Sequence, residues 1–193
     1  MAVTHVLYDA DGWGTGELVV EDGRVVWHEL PWPRATAAAA RPSEPGPSGT
    51  GSAEDPSRAP TRPGLGAVIA GKGSRESRGF VTEVVRLLRA HFAGEAVALE
   101  EVPVDLDYET DFQRRCGAAL RAVPRGEVVT YGELAALAGA PGAARAAGSF
   151  CARNRLGLFV PCHRVVAAGG LGSYGSHGLA YKRRLLELEG WRP

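Results

Sequence analysis

The spacing of apolar residues changes character along this chain, and the changes divide it. Near the N-terminus short apolar runs alternate with polar positions. Thr4 to Leu7, Gly16 to Glu21 and Arg24 to Glu29 read as strands, and Asp22-Gly23 between the last two is a two-residue hairpin signal, because both residues tolerate positive φ. Between Pro31 and Pro63 the pattern disappears. Eight of the 13 prolines fall there, among Ala, Ser, Gly and Thr. Such a stretch buries too little surface to offset its ordering entropy, so a disordered insertion is expected at 33–63, extending past Gly64 towards Gly79 with Leu65 to Ala70 as a short ordered piece. From Phe80 a helical period returns, with Val81, Val84, Val85, Leu88 and Phe92 on one face. Ala96 to Leu106 reads as extended, and Pro103 within it argues for an edge strand.

Beyond Asp111 the chain looks compact. Phe112 to Ala122 has helical spacing, with Phe112, Cys116, Leu120 and Val123 inward. Thr130, three residues before Glu133, has the arrangement of a capping box. The helix it opens ends at Gly139, Ala140-Pro141-Gly142 turns the chain, and a second helix rich in small residues opens at Ala143. This is the outline of a helix-turn-helix, although many helical hairpins share it. The fold class is α+β: a small N-terminal antiparallel sheet domain (1–32 with 64–106), the insertion 33–63, and a mostly helical C-terminal domain (107–193).

At 193 residues and 45% hydrophobic content the chain can bury a real core, as one ordinary domain or two small ones. No apolar run approaches a membrane span, and Met1 to Val6 lacks the basic start and apolar stretch of a signal peptide. Cys116, Cys151 and Cys162 have no paired spacing, so neither a disulfide framework nor a metal cluster is expected. The chain reads as cytoplasmic and reduced. The zero net charge conceals an asymmetry: residues 1–109 hold 10 Lys+Arg against 17 Asp+Glu, and residues 110–193 hold 12 against 5. A basic C-terminal half is what a nucleic-acid surface requires, although arginine-rich faces are also often merely solvated.

Chemistry concentrates in Pro161-Cys162-His163-Arg164-Val165-Val166. A free cysteine of pKa near ~8.5 is only slightly ionised at neutral pH, so a histidine able to take its proton matters. The apolar flanks, Leu156 to Val160 and Val165 to Ala168, place this nucleophile at the end of a buried strand. Adjacent Cys and His alone is weak evidence, since most buried cysteines are inert.

The full string resembles the active-site signature of the O6-alkylguanine-DNA alkyltransferases (methylated-DNA–protein-cysteine methyltransferases). Further pieces follow in order: Phe112-Gln113, Gly126 to Ala135, Ala143-Ala144-Arg145-Ala146, Asn154, Tyr174-Gly175, Lys182, and Leu185 to Gly190. The resemblance covers roughly Phe80 to Gly190. It implies stoichiometric transfer of a methyl or larger alkyl group from O6 of guanine in double-stranded DNA, with O4 of thymine left open, to Cys162. His163 would take the thiol proton through a water, Glu189 would orient His163, and Asn154 would fix the turn around the nucleophile. Tyr131 would donate a proton to the departing base and also contact DNA. Arg145 would fill the stack of a flipped base, with Ala144 and Ala146 letting the helix approach the minor groove. Tyr174, the Gly175 amide, Ser176 and the Val165 carbonyl would line the base pocket. The resemblance implies no cofactor or metal, no membrane partner, and a monomer.

Some positions depart from the family pattern. Cys116 stands where tryptophan is common. Arg155 replaces a proline, which predicts a looser turn, and Ser176-His177 replace a Gly-Gly pair on the loop over the base pocket. The N-terminal hairpin sheet and long insertion replace a more regular domain. Three other readings stay open: a lesion-binding module that transfers nothing, a cysteine hydrolase, and a plain helix-turn-helix regulator.

Overall fold

The computed structural model describes residues 3–32 and 75–192. The expected insertion at 33–63 and the short piece at Leu65 to Ala70 lie outside these residues. Three strands, β1 (Val3–Ala10), β2 (Gly14–Glu21) and β3 (Arg24–Trp32), form an antiparallel sheet in the order β1-β2-β3. Asp22 and Gly23 take φ of 45° and 76°, the two positive values that a tight hairpin of this hand requires. Gly16, facing Tyr8 across the ladder, leaves room for the Tyr8 ring: a β-carbon there would lie 2.6 Å from it.

Helix α1 (Arg75–Phe92) packs on this sheet and starts five residues earlier than the apolar spacing predicts. Its first turn is polar, with Glu76 favourably placed against the helix dipole, so no apolar period marks it. The extended strand expected over Ala96 to Leu106 is not formed. A 3-10 turn (Leu99–Glu101) interrupts it, and only a bridge between Val25 and Val104 remains. Pro103 offers no N–H, and its carbonyl accepts from the Val25 amide at 3.0 Å instead.

The C-terminal region holds α2 (Asp111–Arg121), β4 (Val129–Thr130), α3 (Tyr131–Leu137), α4 (Ala144–Ala152), β5 (Val165–Val166) and α5 (Gly178–Leu188). Thr130 closes the predicted capping box with Glu133, and an equivalent box at Thr110 and Gln113 opens α2. Gly139, at φ 75°, ends the α3 region, and α4 begins one residue later than expected, with Ala143 as its N-cap. Cys116, Leu120, Leu134, Ala147, Phe150, Leu156, Phe159 and Leu185 are buried in a core continuous with Tyr8, Leu18, Leu88 and Phe92. The architecture is α+β. No helix among the described residues is long and apolar enough to cross a membrane.

Candidate active site

Cys162 does not end a strand. It opens a 3-10 turn (Cys162–Arg164), and the apolar run before it folds into tight turns, with Val160 N donating to Leu156 O at 2.8 Å and Leu158 at φ 67°. A short continuous apolar run fits a strand and a buried turn equally well, and here the turn wins. Parallel pairing of β4 with β5, Val129 with Val165 and Thr130 with Val166, then fastens this segment to the start of α3, where Tyr131 sits.

Asn154 shapes the turn. Its Oδ1 accepts from the Leu156 amide at 3.0 Å, while Nδ2 donates to Val160 O at 2.7 Å and to Cys162 Sγ at 3.3 Å. These partners fix the amide's orientation, since the Leu156 N–H needs an acceptor and the Val160 carbonyl needs a donor. Burial raises the Cys162 pKa, opposed by the Asn154 hydrogen bond and the Lys182 charge. Cys162 retains partial solvent access all the same.

Behind Cys162 lies a buried hydrogen-bonded triad. His163 Nε2 is 2.9 Å from Glu189 Oε1, and Arg164 grips the same carboxylate with Nε and Nη2, both at 2.8 Å. Arg164 Nη1 also donates to Val123 O at 2.6 Å. Burial would raise the Glu189 carboxyl, but His163 and Arg164 prevail and hold it well below the usual carboxylate range. Glu189 is therefore an acceptor, which assigns the proton on His163 to Nε2 and leaves Nδ1 as the basic nitrogen. Burial lowers the His163 pKa, with the Glu189 charge opposing. The neutral imidazole is thus the resting form, and it can take a proton. Gly126, at φ 81°, lets its loop meet the end of α5: a β-carbon there would lie 3.0 Å from Glu189 O.

Tyr131 is half-buried at the start of α3. Burial raises its phenol pKa, with Ser173 opposing and the Cys162 charge adding, so the proton stays on at neutral pH. Tyr174 is packed close enough to the thiol for Cys162 to act on it electrostatically, yet its buried hydroxyl makes no well-formed hydrogen bond among the described residues. Gly175 and Ser176 are exposed on a 3-10 turn (Gly175–His177). Arg145 and Ala146 are exposed on α4, with Ala144 half-buried.

One expectation from the family departures changes. Arg155 does not loosen its turn: its guanidinium reaches Asp105 Oδ2 at 2.9 Å and Val26 O at 3.2 Å, and its backbone carbonyl accepts from the His28 amide. These three long-range anchors hold the turn in place of a proline ring. His177, on the loop expected over the pocket, stacks on Trp32. Sequence reasoning also missed three roles. Arg164 is the second partner of Glu189. Lys182, buried, donates to Val165 O at 2.5 Å and to Leu171 O, so it ties these two carbonyls together while standing near Cys162. Arg125 joins the Leu188 carbonyl to those of Gly94 and Glu95. Charged residues in a basic segment carry no mark of burial, so only a lysine or arginine amid apolar neighbours hinted at them.

The model for the 6-O-methylguanine DNA methyltransferase DNA-binding domain matches residues 111–191. A methylated-DNA–protein-cysteine methyltransferase of Methanopyrus kandleri is 41% identical over 131 residues, 67% of this chain and 97% of that protein. The chain belongs to the methylated-DNA–protein-cysteine methyltransferase family. A family member from Mycobacterium tuberculosis is 50% identical over 113 residues, 58% of this chain and 66% of that relative's length. In three dimensions, Mycobacterium tuberculosis OGT crystallised in complex with DNA superposes with a TM-score of 0.65 at 32% identity, covering 96% of this chain and 91% of the other.

Proposed function

We propose that the protein repairs DNA by direct reversal, transferring an alkyl group from O6 of guanine to Cys162. The observation that carries this reading is the buried arrangement in which Asn154 holds the Cys162 thiol beside His163, whose other ring nitrogen is locked on Glu189. In the reaction the thiol proton passes to His163 Nδ1 through water, and sulfur attacks the alkyl carbon. The carbon–oxygen bond breaks and its electron pair goes to the base. Tyr131 donates its proton to that base, and the proton held by His163 restores the balance. Glu189 stabilises the imidazolium, while Arg164 keeps Glu189 ionised in a site where an unpaired carboxylate would be costly. The product thioether is not readily hydrolysed, so each molecule acts once, without cofactor.

Base access follows from α3 and α4. The reacting atom is unreachable in stacked duplex, and extruding the base costs a few kcal/mol. Arg145, exposed beside the small residues Ala144 and Ala146, fills the gap from the minor groove. Tyr174, Gly175, Ser176 and the Val165 carbonyl receive the base. That carbonyl already accepts from Lys182, and its second lone pair serves the exocyclic amine. The 107–193 region is the DNA-binding alkyltransferase domain in this reading, and 1–32 with 64–106 the supporting one. A thiol acceptor requires a reducing compartment, so the cytoplasm fits, and the protein acts as a monomer.

Intact-mass analysis after incubation with a duplex carrying O6-methylguanine tests the proposal. One added methyl, mapped to Cys162 and absent from Cys162→Ala, is expected. Tight binding of the lesion duplex with no mass gain would instead mark a lesion-binding module.

A further inference from the structure

The loop beside Cys162 is built from residues that give it little stiffness of its own. Gly175 and Gly178 flank Ser176-His177 at φ of 41° and 75°, conformations that glycine adopts without strain, and a single backbone bond, Gly178 N to Tyr174 O at 3.0 Å, closes the turn. Yet the turn is held from outside. The His177 ring stacks on Trp32 with centroids 4.5 Å apart and planes at 26°, and meets the edge of Tyr181 at 4.8 Å. Tyr181 in turn donates its hydroxyl to Pro31 O at 3.0 Å and lies parallel to Tyr174 at 6.4 Å. A row of rings thus runs from the end of β3 to Tyr174, which packs near the thiol. Trp32 remains 41% exposed, so its ring is not held as a core residue: the partner it meets face to face is His177.

We infer that Trp32 and His177 form a latch by which the N-terminal sheet holds the base-pocket loop closed, and that this latch sets how large an O6-alkyl group the pocket admits. This rests on the alkyl transfer proposed above. Trp32 is a positioning residue here: it touches neither the base nor Cys162, and acts through His177 and the loop. An aromatic pair of this kind biases a two-state loop roughly two- to tenfold towards the closed form. That bias costs little for a methyl group, which fits the closed pocket, and disfavours a benzyl group, which needs the open one.

The test compares the full chain with Trp32→Ala, His177→Ala, the double variant and Trp32→Phe. Two readouts are taken: single-turnover rates on duplexes carrying O6-benzylguanine or O6-methylguanine, and amide hydrogen exchange across Gly172 to Gly178. Each single alanine variant is expected to raise the benzyl-to-methyl rate ratio by roughly three- to tenfold and to speed exchange in the loop. Trp32→Phe keeps both near the parent values. The double variant should go no further than His177→Ala, because that variant already breaks every ring contact of the latch. An unchanged ratio with unchanged exchange overturns the latch, and so do additive effects in the double variant. Faster exchange with an unchanged ratio overturns its role in alkyl-size selection. Absence of any transfer by the parent chain overturns the alkyl-transfer reading itself, while the exchange data still decide whether the latch exists.

Discussion

The sheet region and the nucleophile region each bury a histidine, and they treat it in opposite ways. His28 on β3 has both ring nitrogens engaged: Nδ1 lies 2.5 Å from Gly157 O and Nε2 lies 2.6 Å from the Tyr8 hydroxyl. The carbonyl can only accept, so Nδ1 carries the proton and Tyr8 donates to Nε2. His163 has one nitrogen locked on Glu189, and its Nδ1 makes no hydrogen bond among the described residues. A histidine satisfied on both sides is a strut, fixed in tautomer and direction. One satisfied on a single side keeps a lone pair for chemistry. The two are linked, since His28 props the Gly157 carbonyl in the turn that leads to Cys162. The acidic half of the chain thus supplies stiffness and the basic half supplies reactivity.

The sharpest way to break this contrast is to remove the carboxylate behind His163 and, separately, the His28 ring. Glu189→Gln deprives His163 of its orienting carboxylate and leaves Arg164 as a buried, uncompensated cation. Transfer from O6-methylguanine duplex should slow by about a hundredfold or more, and stability should drop by about 3–5 kcal/mol, read from single-turnover kinetics and thermal melting. His28→Gln should lower the melting temperature while sparing the rate by comparison. Equal kinetic losses in the two variants would erase the distinction between strut and base.

Acid offers the next largest effect. Burial lowers the His28 pKa to about 4, opposed by its hydrogen bond to Gly157, and burial lowers that of His91 to about 3. Both are depressed relative to the unfolded chain, which binds more protons as the pH falls below 6.5. The stability from keeping these rings neutral is therefore intact above pH 6.5 and is lost as the pH falls towards 4. For His28 alone the loss reaches about 3 kcal/mol. Denaturant melts between pH 7 and pH 4.5 should show the decline, and His28→Gln should flatten it. A decline of the same slope in that variant would remove His28 from the account.

What the sequence made legible follows the range of the interactions involved. The Asp22-Gly23 hairpin, the Thr130 capping box and the turn after Gly139 are local, and each formed as expected, because a few neighbouring residues decide them. Cys162, His163, Asn154 and Glu189 were found through the family signature, and the structure joins them as two hydrogen-bonded pairs, Asn154 with Cys162 and His163 with Glu189. Arg164 on Glu189, Arg155 on Asp105 and Trp32 on His177 join residues 25, 50 and 145 positions apart, the last by the difference of their numbers. No local pattern encodes such pairings. The strand expected before Cys162 failed for a different reason: Leu156 to Val160 is apolar because it is buried on all sides, and burial alone does not distinguish a strand from a compact turn.

A third prediction separates DNA handling from chemistry within the reactive half. Arg145 stands exposed on α4, and its proposed task is to occupy the stack. Arg145→Ala should slow repair in duplex DNA by about tenfold, as the cost of extrusion is no longer offset, while leaving reaction with free O6-benzylguanine unchanged. Equal losses on both substrates would refute the role.

The smallest effect probes how the two regions cohere. Thr130 accepts from the Glu133 amide at 3.1 Å, and Glu133 Oε2 returns a bond from the Thr130 amide at 2.7 Å. Thr130→Ala removes the first and loosens the start of α3, costing about 1 kcal/mol. Because β4 pairs with β5, that loss is felt on both sides of the nucleophile. If the buried core shared by the two regions makes them one cooperative unit, a single melting transition should shift downward by a few degrees, about what ~1 kcal/mol produces in a domain of this size. Fluorescence of Trp27 and Trp32 on β3, read in a variant with Trp13 and Trp191 replaced by phenylalanine, should then move together with far-ultraviolet circular dichroism from the helices. Separation of the two probes in Thr130→Ala would show that the sheet stands without the helical half, and the strut at His28 would then stiffen the nucleophile turn less than the shared core implies.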